Sequence, residues 1–122
     1  MLWDIDKQRE VSRIPHANFY NARISRLSPQ QFQAIQEEIR RHMEGDDIAV
    51  AGWIPGSDWT GTPFQFIYED ACDRDFDASR LLFGILVWVT LMEHEDFWGF
   101  MRDVVVHDAP VASMTYFRVT PQ

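Results

Sequence analysis

The clearest periodic pattern of apolar and polar residues lies in residues 29–44. Its apolar side chains recur every three or four residues, which places them in one stripe along an otherwise polar helix. Ser28, Pro29 and Gln31 have the form of a capping box with proline at the first helical position. We therefore predict a helix over residues 29–44, ended by Gly45. The stripe consists of Phe32, Ile35, Ile39 and Met43.

The longest apolar run covers residues 81–92, which are all apolar or glycine except Thr90. The run is shorter than the roughly 20 residues that a membrane-spanning helix needs. We predict a helix over residues 77–92, capped by Asp75 or Asp77. A helix that is apolar on every side lies in a core or at an interface.

Three segments have the pattern of β-strands. Apolar and polar residues alternate over 17–26 and 111–119, and a short apolar run covers 47–54. Residues 62–72 fit two structures. Their apolar spacing and the Thr-Pro pair at their start favour a helix, but residues 62–68 also alternate as a strand would.

These elements predict an α+β fold: a small antiparallel sheet of three or four strands, with the two main helices packed against it. We expect residues 1–122 to form one domain, since domains most often have roughly 100–150 residues. Residues 1–14 are interpreted as an N-terminal arm whose Trp3 docks on the body, and Phe97–Met101 as a helical turn. If 62–68 is a strand, the order becomes the ferredoxin-like β-α-β-β-α-β.

Composition limits the class of protein. The chain is 46% apolar and 25% charged, which excludes intrinsic disorder. Its start lacks the basic and apolar regions of a signal peptide, and its one cysteine, Cys72, forms no internal disulfide. We therefore expect a cytoplasmic protein that is not embedded in a membrane.

The negative charge is concentrated in the second part of the chain. Residues 1–43 have seven basic and five acidic side chains, whereas residues 44–122 have four basic and fourteen acidic ones. The formal net charge is −8. A chain this acidic repels nucleic acid, so direct nucleic-acid binding is not expected. A basic protein partner fits the charge better, although acidity alone also keeps a protein soluble.

The segment from Trp53 to Pro63 has an unusual composition, with two tryptophans, two glycines and two prolines in eleven residues. Tryptophan offers a rigid face for a ligand or protein partner. The alternative is a turn held by Asp58 with both indoles folded onto the core, which the usual burial of tryptophan favours. The candidate binding residues are Trp53, Asp58, Trp59 and Thr60.

Metal and cofactor sites are not expected. Residues 73–77 have the D-x-D-x-D opening of a calcium loop, but Ala78 stands where the loop needs glycine and Gly84 where it needs glutamate. The histidines show no helical i, i+4 pair, and one cysteine is too few for a structural zinc site. No nucleophile or nucleotide-binding motif is present, so no catalytic residue is assigned.

The apolar circumference of helix 77–92 predicts self-association. A helix on one face of a small sheet needs an apolar stripe of only roughly 100–140°. A twofold contact between two copies would cover the remaining surface. We therefore expect a homodimer, with Phe83, Val87, Trp88 and Leu91 near the contact.

Two functions are consistent with these features. The first is a small acidic binding protein without catalysis, of an accessory or mobile-element type, which uses its acidic surface or the Trp53–Thr62 loop on a protein partner. The second is a ligand-binding protein or small enzyme with a pocket at Trp53, Asp58 and Trp59, joined by His94. A deep pocket with a perturbed titratable group favours the second.

Overall fold

A computed structural model describes part of the chain, namely residues 1–5, 7–43, 48–50, 59–100 and 115–118. The predicted α+β class is confirmed, with one small sheet and helices packed on it. The helices are α1 (Ala17–Ile24), α2 (Pro29–Met43), a short π-helix (Ile67–Ala71) and α3 (Phe76–Glu93). The strands are β1 (Leu2–Asp4), β2 (Arg9–Glu10), β3 (Ile48–Val50), β4 (Trp98–Phe100) and β5 (Thr115–Arg118).

Helix α2 begins as the sequence predicts. The backbone N–H of Gln31 donates to Ser28 Oγ at 3.1 Å, and the Ser28 N–H donates to Gln31 Oε1 at 2.9 Å. This reciprocal pair is a capping box, which satisfies donors that the first helical turn leaves free. The predicted stop at Gly45 lies outside the described residues. The apolar stripe faces the core, where Ile35, Ile39 and Met43 are fully buried.

Helix α3 is the centre of the core, as its continuous apolar run predicts. Asp75 caps it, since its Oδ1 accepts the backbone N–H of Ala78 at 2.9 Å. Thr90 is the polar residue in the apolar run. Its buried hydroxyl is paired, because Oγ1 donates to the Leu86 carbonyl oxygen at 2.7 Å. The elements packed around α3 are α1, α2, the π-helix and β1.

The predicted dimer contact does not fit this packing. The four side chains assigned to it are covered within one chain, with exposed fractions of 3% for Phe83, 9% for Trp88 and zero for Val87 and Leu91. Three helical segments and a strand cover the circumference that was expected to need a second copy. A homodimer stays a prediction, but these four residues do not form its surface.

The sheet is mixed rather than purely antiparallel. Its strand order is β2-β1-β4-β5-β3, and β1 pairs with β4 in parallel while the other neighbours are antiparallel. The described elements follow one another as two strands, α1, α2, β3, the π-helix, α3 and two further strands, so the ferredoxin-like order is not confirmed in the described residues. The strands predicted at 47–54 and 111–119 are present as the shorter β3 and β5, flanked by residues that are not described.

The strand predicted at 17–26 is wrong, because that segment forms helix α1. Tyr20 and Ile24 lie four residues apart and pack on the core, a spacing that fits a helical period of about 3.6 as well as a period of two. The favoured helical interpretation of 62–72 agrees with the π-helix there.

Two segments contribute strands where other structures were expected. Part of the N-terminal arm forms the hairpin β1–β2, and the segment predicted as a helical turn at Phe97–Met101 contains β4. Trp3 docks as predicted, with its ring centroid 6.4 Å from that of Phe97. The parallel pairing of Leu2 with Trp98 explains the error, since neither segment forms a strand without a distant partner.

Candidate functional site

The Trp53–Thr62 loop is only partly described, because Trp53 and Asp58 lie outside the described residues. Trp59 is half-buried, and its ring centroid lies 6.1 Å from that of Phe64 and 5.7 Å from that of Phe83. Thr60 is exposed. Trp59 therefore covers the core, which agrees with the interpretation of this indole as a lid.

Phe76 is the large apolar side chain that the described part of the chain leaves most exposed, at 66%. It is the first residue of α3, directly after the capping residue Asp75. The Arg80 guanidinium carbon lies 5.9 Å from the Phe76 ring centroid, at the outer limit of a cation–π contact. Most of the Phe76 ring therefore faces solvent.

Carboxylates surround Phe76 along the chain. Residues 69–77 contain five acidic side chains and one basic one, Arg74, and all five carboxylates are on exposed residues. Two lie at the end of the π-helix, and three lie in the turn and first residues of α3. We call this surface, together with Phe76, the acidic face. Its carboxylates belong to Glu69, Asp70, Asp73, Asp75 and Asp77.

Neighbouring elements fix the position of two of these carboxylates. Arg26 Nη1 lies 2.9 Å from Asp73 Oδ2 and also donates to the Ala71 carbonyl oxygen at 3.2 Å. Gln31 Nε2 donates to Asp70 Oδ2 at 2.9 Å. These contacts join the acidic face to the start of α2 and to the segment between α1 and α2. Its shape therefore depends on these neighbouring elements as well as on its own residues.

The turn that joins the π-helix to α3 has an unfavourable backbone conformation. Asp73 and Arg74 have φ values of 50° and 63°, in the left-handed region that residues with a Cβ seldom adopt. Hydrogen bonds hold it there, from the Arg74 N–H to the Tyr68 carbonyl oxygen at 2.7 Å and from the Asp75 N–H to the Cys72 carbonyl oxygen at 2.9 Å. The turn therefore presents its carboxylates in a defined arrangement.

Cys72 lies behind the acidic face and is buried. Burial raises the pKa of its thiol, while a hydrogen bond with Ser79 acts in the opposite direction. A raised pKa keeps the thiol neutral, and the thiolate is the nucleophilic form. Burial and a raised pKa are what a small core cysteine shows.

His94 belongs to a second cluster, at the end of α3. Its Nδ1 accepts the backbone N–H of Asp96 at 2.9 Å, and its ring lies 6.3 Å from the Trp98 ring in an edge-to-face arrangement. Burial lowers the pKa of His94, and the positive charge of Arg40 lowers it further. Asp96 also pairs with Arg118 at 2.5 Å. These contacts fix the segment between α3 and β4, and His94 serves there as a neutral acceptor.

The described residues contain neither a metal-binding cluster nor a membrane-spanning helix. No group of three histidine, cysteine, aspartate or glutamate side chains in that part of the chain could hold a metal ion. Asp73 and Asp75, the first residues of the calcium-like spacing, are engaged with Arg26 and with the N-terminus of α3. No helix within the described ranges is long and apolar enough to cross a membrane.

No protein-family model matches the chain, and no curated protein or solved structure matches it either. The function must therefore be inferred from the residues themselves. The sequence analysis considered Asp73, Asp75 and Asp77 as calcium ligands or helix caps. It did not predict the exposure of Phe76. The available signal was a large aromatic residue placed between two aspartates at the predicted start of a helix, where a solvated face is expected.

Proposed function

We propose that the chain is a binding protein that uses the acidic face to dock on a basic protein partner. The exposure of Phe76 is the observation on which this proposal rests. An exposed aromatic residue in a segment rich in exposed carboxylates matches the anatomy of a protein interface, in which an apolar anchor enters a pocket and polar groups surround it.

The sign of the charge selects the class of partner. The acidic face has an excess of carboxylates, and the whole chain has a net charge of −8. Such a surface attracts a positively charged partner over a distance and repels the phosphates of nucleic acid. A protein with a basic surface and an apolar pocket for Phe76 is therefore the best fit.

The compartment and the oligomeric state belong to the same proposal. A single buried, free thiol fits a reducing compartment, and we place the complex in the cytoplasm. Self-association is proposed through a surface other than the four buried residues of α3. Light scattering at micromolar concentration tests it, since a homodimer has twice the 14.4 kDa mass of the chain.

The partner can be identified by photo-cross-linking in the source cells. A photoreactive phenylalanine analogue at position 76 is compared with the same analogue at Gln33, an exposed position on α2. We expect an adduct at position 76 with a protein whose surface is basic, and none at position 33. The adduct should disappear in the double variant Asp73→Asn with Asp77→Asn, which removes two charges from exposed positions.

Two results would overturn the proposal. Equal adducts at positions 76 and 33 would mean that Phe76 is not an anchor. An acidic captured protein, or an adduct that survives loss of the two charges, would mean that charge does not select the partner.

A further inference from the structure

A cavity of about 390 Å³ lies under the β1–β2 hairpin, on the side where the chain after β2 passes over α3. Its volume falls within the roughly 300–1,000 Å³ of typical small-molecule sites. None of the residues that form it belongs to the acidic face. The cavity is therefore a separate feature with its own chemistry.

Two aromatic rings form the floor of the cavity. Trp88 from α3 and Phe100 from β4 have ring centroids 5.0 Å apart, and both side chains are buried. The Trp88 indole donates to the Arg13 carbonyl oxygen at 3.0 Å, which fixes one wall against the floor. The base of the cavity is thus rigid and apolar.

Three basic side chains line the walls, namely Lys7, Arg9 and Arg13. All three residues are exposed, and none of them forms an ion pair with another described residue. This is unusual in a chain with a net charge of −8, in which acidic partners are abundant. The arginines that do form ion pairs in the described part are Arg26, Arg41 and Arg118.

Two carboxylates also line the cavity, those of Glu10 and Asp4, and Asp4 lies directly across the β1–β2 pairing from Arg9. Asp4 is a carboxylate that is only 5% exposed, and it accepts the backbone N–H of Lys7 at 3.2 Å. A buried carboxylate has more acceptor sites than this one hydrogen bond uses. The cavity lining thus has three basic side chains against two acidic ones, which leaves an excess of positive charge.

We propose that this cavity binds a small organic anion. The carboxylate or phosphate of the ligand lies between the Arg9 and Arg13 guanidinium groups, with Lys7 adding positive charge. The apolar body of the ligand contacts the Trp88–Phe100 floor.

The test uses the full, ¹⁵N-labelled chain, with the indole N–H signal of Trp88 as reporter. Phenyl phosphate and benzoate are the anionic probes, and benzamide is the neutral control of similar shape. The double variant Arg9→Gln with Arg13→Gln removes the anion-binding groups but keeps the Arg13 carbonyl oxygen. The matched control, Arg41→Gln, removes an exposed guanidinium on α2.

We expect saturable movement of the Trp88 signal with at least one anion and none with benzamide. A response to phenyl phosphate alone assigns the site to phosphates, and a response to benzoate alone assigns it to carboxylates. The double variant should bind about tenfold more weakly or worse, as the loss of charge-assisted hydrogen bonds implies, while Arg41→Gln binds as the unmodified chain does.

Three results would each overturn this assignment. The first is a Trp88 signal that does not move at millimolar concentrations of either anion. The second is an equal response to benzamide, which would show that charge is not recognised. The third is unchanged binding in the double variant, which would place the anion elsewhere.

Discussion

The indole N–H of Trp88 donates to the backbone carbonyl oxygen of Arg13, which lies 75 residues earlier in the chain, at 3.0 Å. This bond joins the segment after β2 to the middle of α3. It satisfies the polar atom of a side chain that is only 9% exposed, so the indole is buried without an unpaired donor. A helix that is apolar on every side is thus covered by its own chain.

Trp59 is predicted to act as a core lid, so Trp59→Ala should destabilise the protein. Its ring packs on those of Phe64 and Phe83, and a half-buried tryptophan loses less than the 3–5 kcal/mol of a fully buried one. We expect a loss of about 2 kcal/mol, measured by urea unfolding. Phe76→Ser, at an exposed aromatic, is the control and should change stability little. If Trp59→Ala is as stable as that control, the indole is available for binding instead.

Asp75 is predicted to stabilise α3 through its cap and not mainly through its charge. Asp75→Ala removes the acceptor for the Ala78 N–H and should cost about 1 kcal/mol in the free energy of unfolding. Asp75→Asn keeps an acceptor and should cost much less. Equal losses in the two variants would show that the charge, and not the cap, is what the helix needs.

His94 is predicted to make the protein less stable in mild acid. Its pKa is lowered in the folded state, chiefly by burial, so the unfolded chain binds a proton more readily than the folded one. The stability associated with neutral His94 is therefore present above the ordinary histidine pKa of about 6.5 and is lost as the pH falls below it.

The variant His94→Asn isolates this contribution. Asparagine offers an oxygen to the Asp96 N–H but does not titrate near neutral pH. Thermal unfolding at pH 7.5 and pH 5.5 is compared in the two proteins, and the melting temperature of the variant should fall less on acidification. The same fall in both proteins would assign the acid sensitivity to other groups.

Calcium is predicted to leave the melting temperature unchanged, as is removal of calcium with a chelator. The D-x-D-x-D residues have other roles, since Asp73 pairs with Arg26 and Asp75 caps α3. Magnesium at the same concentration controls for ionic strength. A rise of several degrees that is specific to calcium would mean that further ligands complete a site.

The sequence predicted the helices whose caps and apolar patterns lie within or directly beside the helix itself. Helix α2 has its capping box and stripe within residues 28–43, and α3 has its cap and apolar run within 75–93. The sheet could not be predicted in the same way. Pairing of Leu2 with Trp98 is a contact across most of the chain, and all three residues of β4 are buried, so no alternation marks that strand.

The candidate site also combines features that the local sequence predicts with features that depend on distant parts of the chain. The aspartates were found because they occur close together, and Asp75, one of the two caps predicted, is the one that caps α3. The exposure of Phe76 depends on what packs around the start of α3, which the sequence does not state. The predicted pocket at Trp53, Asp58 and Trp59 stays a prediction, apart from Trp59, which is packed on the core.

The affinity of the purified partner for Phe76→Ser tests the binding function most directly. Isothermal titration calorimetry would compare this variant with the unmodified chain and with Gln33→Ser, a control at an exposed position on α2. An anchor residue typically contributes about 2 kcal/mol or more, so we predict affinity at least about thirtyfold weaker for Phe76→Ser, with an unchanged melting temperature. Equal affinity of Phe76→Ser and the unmodified chain would contradict the assignment of the acidic face as the docking surface.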